Sequence, residues 1–130
     1  MRISMSKSDL KSRLSKLAYE VTQNSATEPP FSGKFFNFFE HGIYKCICCQ
    51  SELFSSKDKF KSSSGWASFH STINGYSINF VNDNSFGMKR TEVVCSNCNA
   101  HLGHVFDDGP EPSFKRFCIN SSALNFEKND

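Results

Sequence analysis

No stretch of the chain approaches the roughly 18 to 20 apolar residues that a membrane-spanning helix requires, and no apolar run resembles the core of a secretory signal. Those absences lead us to expect a cytoplasmic protein without a membrane anchor, and they set the reducing compartment in which its cysteines are to be read. Charge of one sign is also lacking. The formal net charge is +2 and no basic stripe runs along the sequence, which argues against a nucleic-acid partner. Internal repeats and long low-complexity tracts are missing too, so nothing suggests an array or a disordered arm. What is present is 130 residues with 14 Phe and 1 Trp, enough for one compact domain around a single core and cramped for two.

Leu10, Leu14, Leu17 and Val21 share one helical face after a Ser-Asp start. Residues 1–26 are therefore expected to form a short amphipathic helix, docked on the domain, and its connection. Arg2, Lys7, Lys11, Arg13 and Lys16 with several Ser offer a competing reading, an organelle presequence. Thr27, Pro29, Pro30 and Gly33 stop any helix, and the pattern changes beyond them. Over residues 27–127 short β-compatible segments dominate: Tyr76, Ile78 and Phe80 alternate with Ser77 and Asn79, and Thr91 to Cys95 and Lys115 to Ile119 follow. Gly, Asn, Asp and Pro separate them. The expectation is a mainly β, mostly antiparallel domain with a helical N-terminal piece.

Cys46 and Cys49 form one C-x-x-C, and Cys95 and Cys98 another. Each such turn aims two sulfurs at one point, and two turns complete the four-thiolate tetrahedron that zinc prefers; two disulfides are the competing reading, disfavoured without a secretion signal. A closed four-sulfur site has no open position for substrate, so its role would be structural, clamping the segment near residue 46 to the hairpin near residue 95. Cys48 and Cys118 are left over. Cys48 reads as a bystander inside the first turn. Cys118 lies in Lys115-Arg116-Phe117-Cys118-Ile119-Asn120, where the period of two puts Arg116, Cys118 and Asn120 on one face of a strand and Phe117 and Ile119 on the other. A guanidinium on the same face would favour the thiolate, and we expect a lowered pKa and a nucleophile; an inert buried thiol is the alternative.

His101 and His104 suggest general acid chemistry rather than metal binding, because the C-x-x-C pairs already complete a site. Residues three apart on a regular strand point to opposite faces, so both rings reach one pocket only if Gly103 marks a bend or bulge; otherwise one is merely packed or exposed. Asp107 or Asp108 could orient an imidazole or bind substrate, or Asp-Asp-Gly-Pro is just a turn. Trp66, beside Gly65, could hold a small apolar group against its indole, although core packing is the commoner fate of a Trp.

Together these segments resemble the methionine-R-sulfoxide reductase B family from about Thr27 to Phe126. The matching blocks are Thr-Glu-Pro-Pro-Phe-Ser-Gly from Thr27, Gly-Ile-Tyr-Lys-Cys-x-x-Cys from Gly42, Leu-Phe from Leu53, Gly-Trp-x-Ser-Phe from Gly65, Gly-Met-x-Arg-Thr-Glu-Val from Gly87, Cys-x-x-Cys-x-Ala-His-Leu-Gly-His-Val-Phe-Asp-Asp-Gly-Pro from Cys95, and Arg-Phe-Cys-Ile-Asn-Ser from Arg116. The resemblance implies two antiparallel sheets with structural zinc on Cys46, Cys49, Cys95 and Cys98 away from the active site. It implies Cys118 as catalytic nucleophile, with Trp66, His101, His104, Asp108, Arg116 and Asn120 lining its pocket. The reaction implied is reduction of the R epimer of methionine sulfoxide, in oxidised proteins or peptides or as the free amino acid. Cys118 would attack sulfur, His104 or His101 would protonate oxygen, and Cys118 would be left as a sulfenic acid.

Two departures from the family pattern stand out: Ala67 where Pro is usual, and Ser64 where many members carry a resolving Cys. The expected reductant of Cys118 is therefore thioredoxin, glutaredoxin or a small thiol acting directly, with Cys48 as a substitute resolver the alternative. A monomer is expected. A non-catalytic zinc-ribbon-like binding module, or a zinc hydrolase using His101 and His104, would explain fewer of these residues.

Overall fold

The structure is a computed structural model that describes residues 6–129, so Arg2 of the basic N-terminal run lies outside the described residues. The expected single helix is two. Helix α1 spans Lys7–Arg13 and α2 spans Lys16–Asn24; between them Leu14 is extended (φ −94°, ψ 153°). The break has a local cause, because Ser6 and Ser15 each accept a hydrogen bond from a backbone N–H three residues on, Asp9 and Ala18, and each therefore starts its own helix. Extending Leu14 resets the helical phase. Leu10 and Val21 are buried, whereas Leu17, which shares their face on one continuous helix, is 41% exposed. Ser25, in the left-handed region (φ 57°), ends α2, which packs on β6 (His101–Phe106) and the turn at 121–123.

Among the described residues two antiparallel sheets carry the rest. The smaller has the order β2-β1-β8, with β1 Gly42–Cys46, β2 Glu52–Ser55 and β8 Leu124–Lys128. The larger has the order β3-β7-β6-β5-β4, with β3 Ala67–Phe69, β4 Ile78–Asp83, β5 Arg90–Cys95 and β7 Arg116–Ile119. Between them lies an aromatic core. Tyr44 meets Phe69 edge-on at 5.1 Å, and Phe69 stacks on Phe54 at 4.4 Å, with Leu53, Leu102, Ile119 and Leu124 buried around them. Each such ring withdrawn from water contributes about 1.5–3 kcal/mol before its ordering cost is counted.

The alternation at residues 76–80 holds only in part. Ile78 is buried, but Tyr76 precedes the strand and is 82% exposed, and Phe80 is largely exposed. The reason is position: β4 is the edge of its sheet, paired only with β5, and the core does not extend beneath its far half.

Candidate active site and metal centre

The metal centre rests on one turn used twice. In the first, Cys46 N–H donates to the Ser51 carbonyl (2.8 Å), Gln50 N–H donates to the Cys46 carbonyl (2.8 Å), and Gln50 is left-handed (φ 66°). In the second, Cys95 N–H donates to the Ala100 carbonyl (2.9 Å), Asn99 N–H donates to the Cys95 carbonyl (2.8 Å), and Asn99 is left-handed (φ 63°). Each turn folds its two sulfurs to one side. The four Sγ atoms lie within 4.8 Å of one another, Cys46 to Cys98 at 3.7 Å and Cys49 to Cys95 at 3.6 Å. Thiols this crowded compete for protons: hydrogen bonds with Cys46 pull Cys49 down to about 5, while the Cys46 thiol itself is pushed up. A cation among the sulfurs removes that conflict by replacing all the protons at once. The six cysteines are all free thiols, so the disulfide reading fails.

Cys118 is elsewhere, on β7, between β3 and β6 in the larger sheet. It faces Ser68 on one neighbour and His104 on the other. Phe117 and Ile119 turn into the core, and Arg116 and Cys118 stay half-buried on the opposite face, as the period of two requires. Cys118 lines a cavity of about 90 Å³ with Thr27, Trp66, Arg90, Gly103, His104, Phe106 and Asn120. This space admits the end of a side chain beside the sulfur. Next to it, sharing Thr27, Arg90 and His104, is a wider recess of about 290 Å³.

The bulge anticipated at Gly103 is present. Val93 pairs with Gly103 but Val94 pairs with His101, so β6 has one more residue than β5 there. The extra residue brings the two imidazoles to the same side, 5.6 Å apart. A methyl on Gly103 would strike the Cys118 carbonyl, so only glycine lets β6 approach the nucleophile's strand this closely. Each ring has its own carboxylate: His104 Nε2 lies 2.7 Å from Asp83, and His101 Nδ1 lies 2.5 Å from Glu92. His101 is buried, does not line the smaller cavity, and burial lowers its basicity against the pull of Glu92. Asp83 is held well below the usual carboxylate range, by hydrogen bonds from Ser85 first and from His104 next, and Arg90 also reaches it at 3.2 Å.

Two expectations change on contact with the structure. Burial pushes the Cys118 thiol up, and the opposing influences of Arg116 and Ser64 are smaller, so the resting residue is not the lowered-pKa thiol that sequence suggested. Neither Asp108 nor Arg116 is in the cavity wall. The largely exposed Asp108 carboxylate grips Arg116 at Nε (2.8 Å) and Nη2 (3.2 Å), which raises the guanidinium's own pKa and presses it over the Phe106 ring at 4.5 Å. Asp107 pairs instead with Lys115. Cys48 is fully buried at the metal turn against α2, where Gln23 approaches its sulfur at 3.5 Å and Arg13 binds its carbonyl at 2.8 Å, and it does not line the Cys118 cavity.

Sequence reasoning missed Asp83, Glu92, Arg90 and Thr27. Arg90 and Glu92 stand two apart in β5, and that polar alternation was the available signal. Asp83 sits among Asn and Ser at a strand end, where composition says only turn.

The SelR domain family matches residues 14–128. A peptide methionine sulfoxide reductase MsrB of Thioalkalivibrio sulfidiphilus is 53% identical over 118 residues, covering 91% of this chain and 86% of its own. The MsrB of Methanosarcina mazei is 50% identical over 129 residues, covering 99% of this chain and 92% of its own. The mitochondrial methionine-R-sulfoxide reductase B3 of Mus musculus is 48% identical over 129 residues, and this chain, 99% covered, spans 51% of it. A crystal structure of the Mis18 'Yippee-like' domain shares the fold, with TM-score 0.53 at 15% identity over 70% of this chain and 99% of that one. The chain belongs to the methionine-R-sulfoxide reductase B family.

Proposed function

We propose that the chain reduces the R epimer of methionine sulfoxide in oxidised proteins and peptides, with Cys118 as nucleophile. The observation that carries this reading is the small cavity in which Cys118, Trp66, His104 and Asn120 meet. Trp66 offers an indole face to the sulfoxide methyl, and a pocket that fixes methyl and oxygen on different walls accepts one hand of the sulfur and rejects the other.

His104 is the better proton donor of the two histidines because it lines the cavity and His101 does not. A carboxylate only accepts, so Asp83 fixes a proton on His104 Nε2, and Nδ1 takes the proton that Cys118 gives up and passes it to the substrate oxygen. His101, braced by Glu92, packs beside His104 and helps hold it. Cys118 sulfur attacks the sulfoxide sulfur, the oxygen takes a proton, and the hydroxyl passes from the methionine sulfur to the Cys118 sulfur as the transient S–S bond breaks, releasing methionine and leaving Cys118 as a sulfenic acid. Cysteine sulfur loses two electrons and methionine sulfur gains them. The thiol proton lost by Cys118 balances the one gained by oxygen, so a thiol protonated at rest is no obstacle. Arg116, held by Asp108, lowers the cost of the transient thiolate.

An external thiol then attacks the sulfenic acid, expels water and forms a mixed disulfide, and a second thiol releases Cys118. Ser64 cannot form that disulfide internally, and the burial of Cys48 at the metal turn argues against its serving. Thioredoxin, glutaredoxin or a small thiol is the reductant, in a cytoplasmic setting that suits six free cysteines and a monomer. No helix among the described residues is long and apolar enough to cross a membrane.

Zinc is the ion we assign to the cysteine cluster. A tetrahedron of Zn–S bonds near 2.3 Å puts sulfurs about 3.8 Å apart, close to the 3.6 and 3.7 Å found here. Bound there it would supply a structural clamp. Single turnover without reductant, followed by a sulfenic-acid trap and mass spectrometry, tests the catalytic assignment. An adduct on Cys118 is expected, and a Cys48 to Cys118 disulfide would contradict it.

A further inference from the structure

The segment leaving α2 holds two pocket residues through one peptide unit on each side of Glu28. The Glu28 carbonyl accepts the Trp66 Nε1–H at 3.0 Å. The Glu28 N–H donates to Asn120 Oδ1 at 3.0 Å, while Asn120 Nδ2 donates to the Leu102 carbonyl at 3.0 Å. Backbone polarity thus decides which way the Asn120 amide faces, because turning it over would set N–H against N–H and oxygen against oxygen. One Nδ2–H is left for the cavity that Asn120 lines.

What anchors that backbone is the Glu28 side chain. It is 1% exposed, and its Oε1 accepts both the N–H (2.9 Å) and the hydroxyl (3.0 Å) of Ser122, in the turn that follows the nucleophile's strand. Its Oε2 has no hydrogen-bond partner and packs over Gly33, where any side chain would overlap it. A carboxylate taken this far out of water is an expensive spacer if packing is its only task.

We propose that Glu28 is a positioning residue for sulfoxide reduction: its carboxylate, tied to Ser122, fixes the peptide groups that orient the Trp66 indole and the Asn120 amide around the substrate. This rests on the reading of Trp66 and Asn120 as substrate-facing groups. It places the origin of pocket geometry in a residue that touches no substrate, and it links the pocket's two walls so that they shift together.

Because Trp66 is the one Trp of the chain, its indole N–H gives a single ¹⁵N–¹H resonance that reports the Glu28 contact without reference to activity. Glu28→Ala is expected to shift and broaden that resonance, to lower kcat/KM for an R-sulfoxide peptide by about ten- to a hundredfold as mispositioning does, and to erode the preference for R over S. Glu28→Gln keeps an acceptor for Ser122 and is expected to restore the resonance and most of the rate. Ser122→Ala, which removes one of the two donors, is expected to move both readouts the same way by a smaller amount. Should Glu28→Ala fold with full metal content, or Ser122→Ala stand in for it if it does not, and leave indole signal, kcat/KM and epimer ratio at wild-type values, the proposal is overturned. A lowered melting temperature with those three unchanged overturns it equally. Trp66→Leu and Asn120→Ala test the underlying reading separately, since full activity in either would refute that reading whatever Glu28 does.

Discussion

At the scale of single residues, opposing influences meet on Cys118. Burial outweighs the nearby guanidinium, so the thiol is protonated in the resting pocket and gains reactivity as pH rises. Removing the cation should push it further the same way. Arg116→Met is expected to displace the pH profile of Cys118 alkylation by iodoacetamide to higher pH and slow labelling at neutral pH; an unchanged profile would show that Arg116 does not influence the sulfur. Asp108→Asn is expected to do the same more weakly, because it only frees Arg116. His104→Ala should lower kcat by about 10²- to 10⁴-fold, the usual contribution of a general acid, and His101→Ala by much less. Single-turnover kinetics separates the two, and equal losses would contradict the assignment of the donor. Arg116, Cys118 and Asn120 could be placed from a period of two alone. The sign of the Cys118 shift could not, because desolvation depends on what the fold lays over the sulfur, and that is not written in its neighbours.

At the scale of elements, legibility tracked how local the cause was. The two C-x-x-C turns and the strand at 116–119 are fixed by near-neighbour chemistry and were readable. The β6 bulge was readable as a condition, since both histidines needed it, and Gly103 marked where it would fall. The helix break at Leu14 was carried by Ser15, a cap signal overridden by the longer leucine pattern. Edge position defeated the alternation at 76–80, as sheet order is a property of the whole chain. Lys59 shows the same limit. It is buried after a short 3₁₀ turn at Ser56–Asp58, its ammonium lies over the Phe39 ring at 4.0 Å, and burial pulls its pKa down to about 8. For a base lowered on folding, the unfolded chain binds more protons between the two pKa values, so Lys59 makes stability rise with pH from about 8 towards about 10.4. Lys59→Met is expected to raise the melting temperature at pH 7 and to flatten its rise with pH over that window; a fall at pH 7 would show that the contact with Phe39 outweighs burial.

At the scale of the whole molecule, the metal centre and the aromatic core do the same work from two ends. Cys46 ends a strand of the smaller sheet and Cys95 one of the larger, with Cys49 and Cys98 in the turns that follow, so an ion there ties the two sheets together. Cys95→Ser is expected to lose the metal and much of the cooperative thermal transition, as structural zinc sites contribute folding energy directly. Metal analysis beside calorimetry checks this, and a metal-free variant with wild-type melting would refute the clamp. Phe69→Ala, at the centre of the stacked rings, should cost about 3–5 kcal/mol in a denaturant titration.

The central claim is that Cys118 reduces one hand of oxidised methionine in a pocket braced from a distance. Its most direct test is steady-state turnover of epimer-resolved methionine sulfoxide peptides by metal-loaded protein with excess dithiol, for wild type and Cys118→Ser. Rapid loss of the R peptide, slow or no loss of the S peptide, and no turnover by the variant are expected. An untouched R peptide, or a serine variant that still consumes it, would contradict the account.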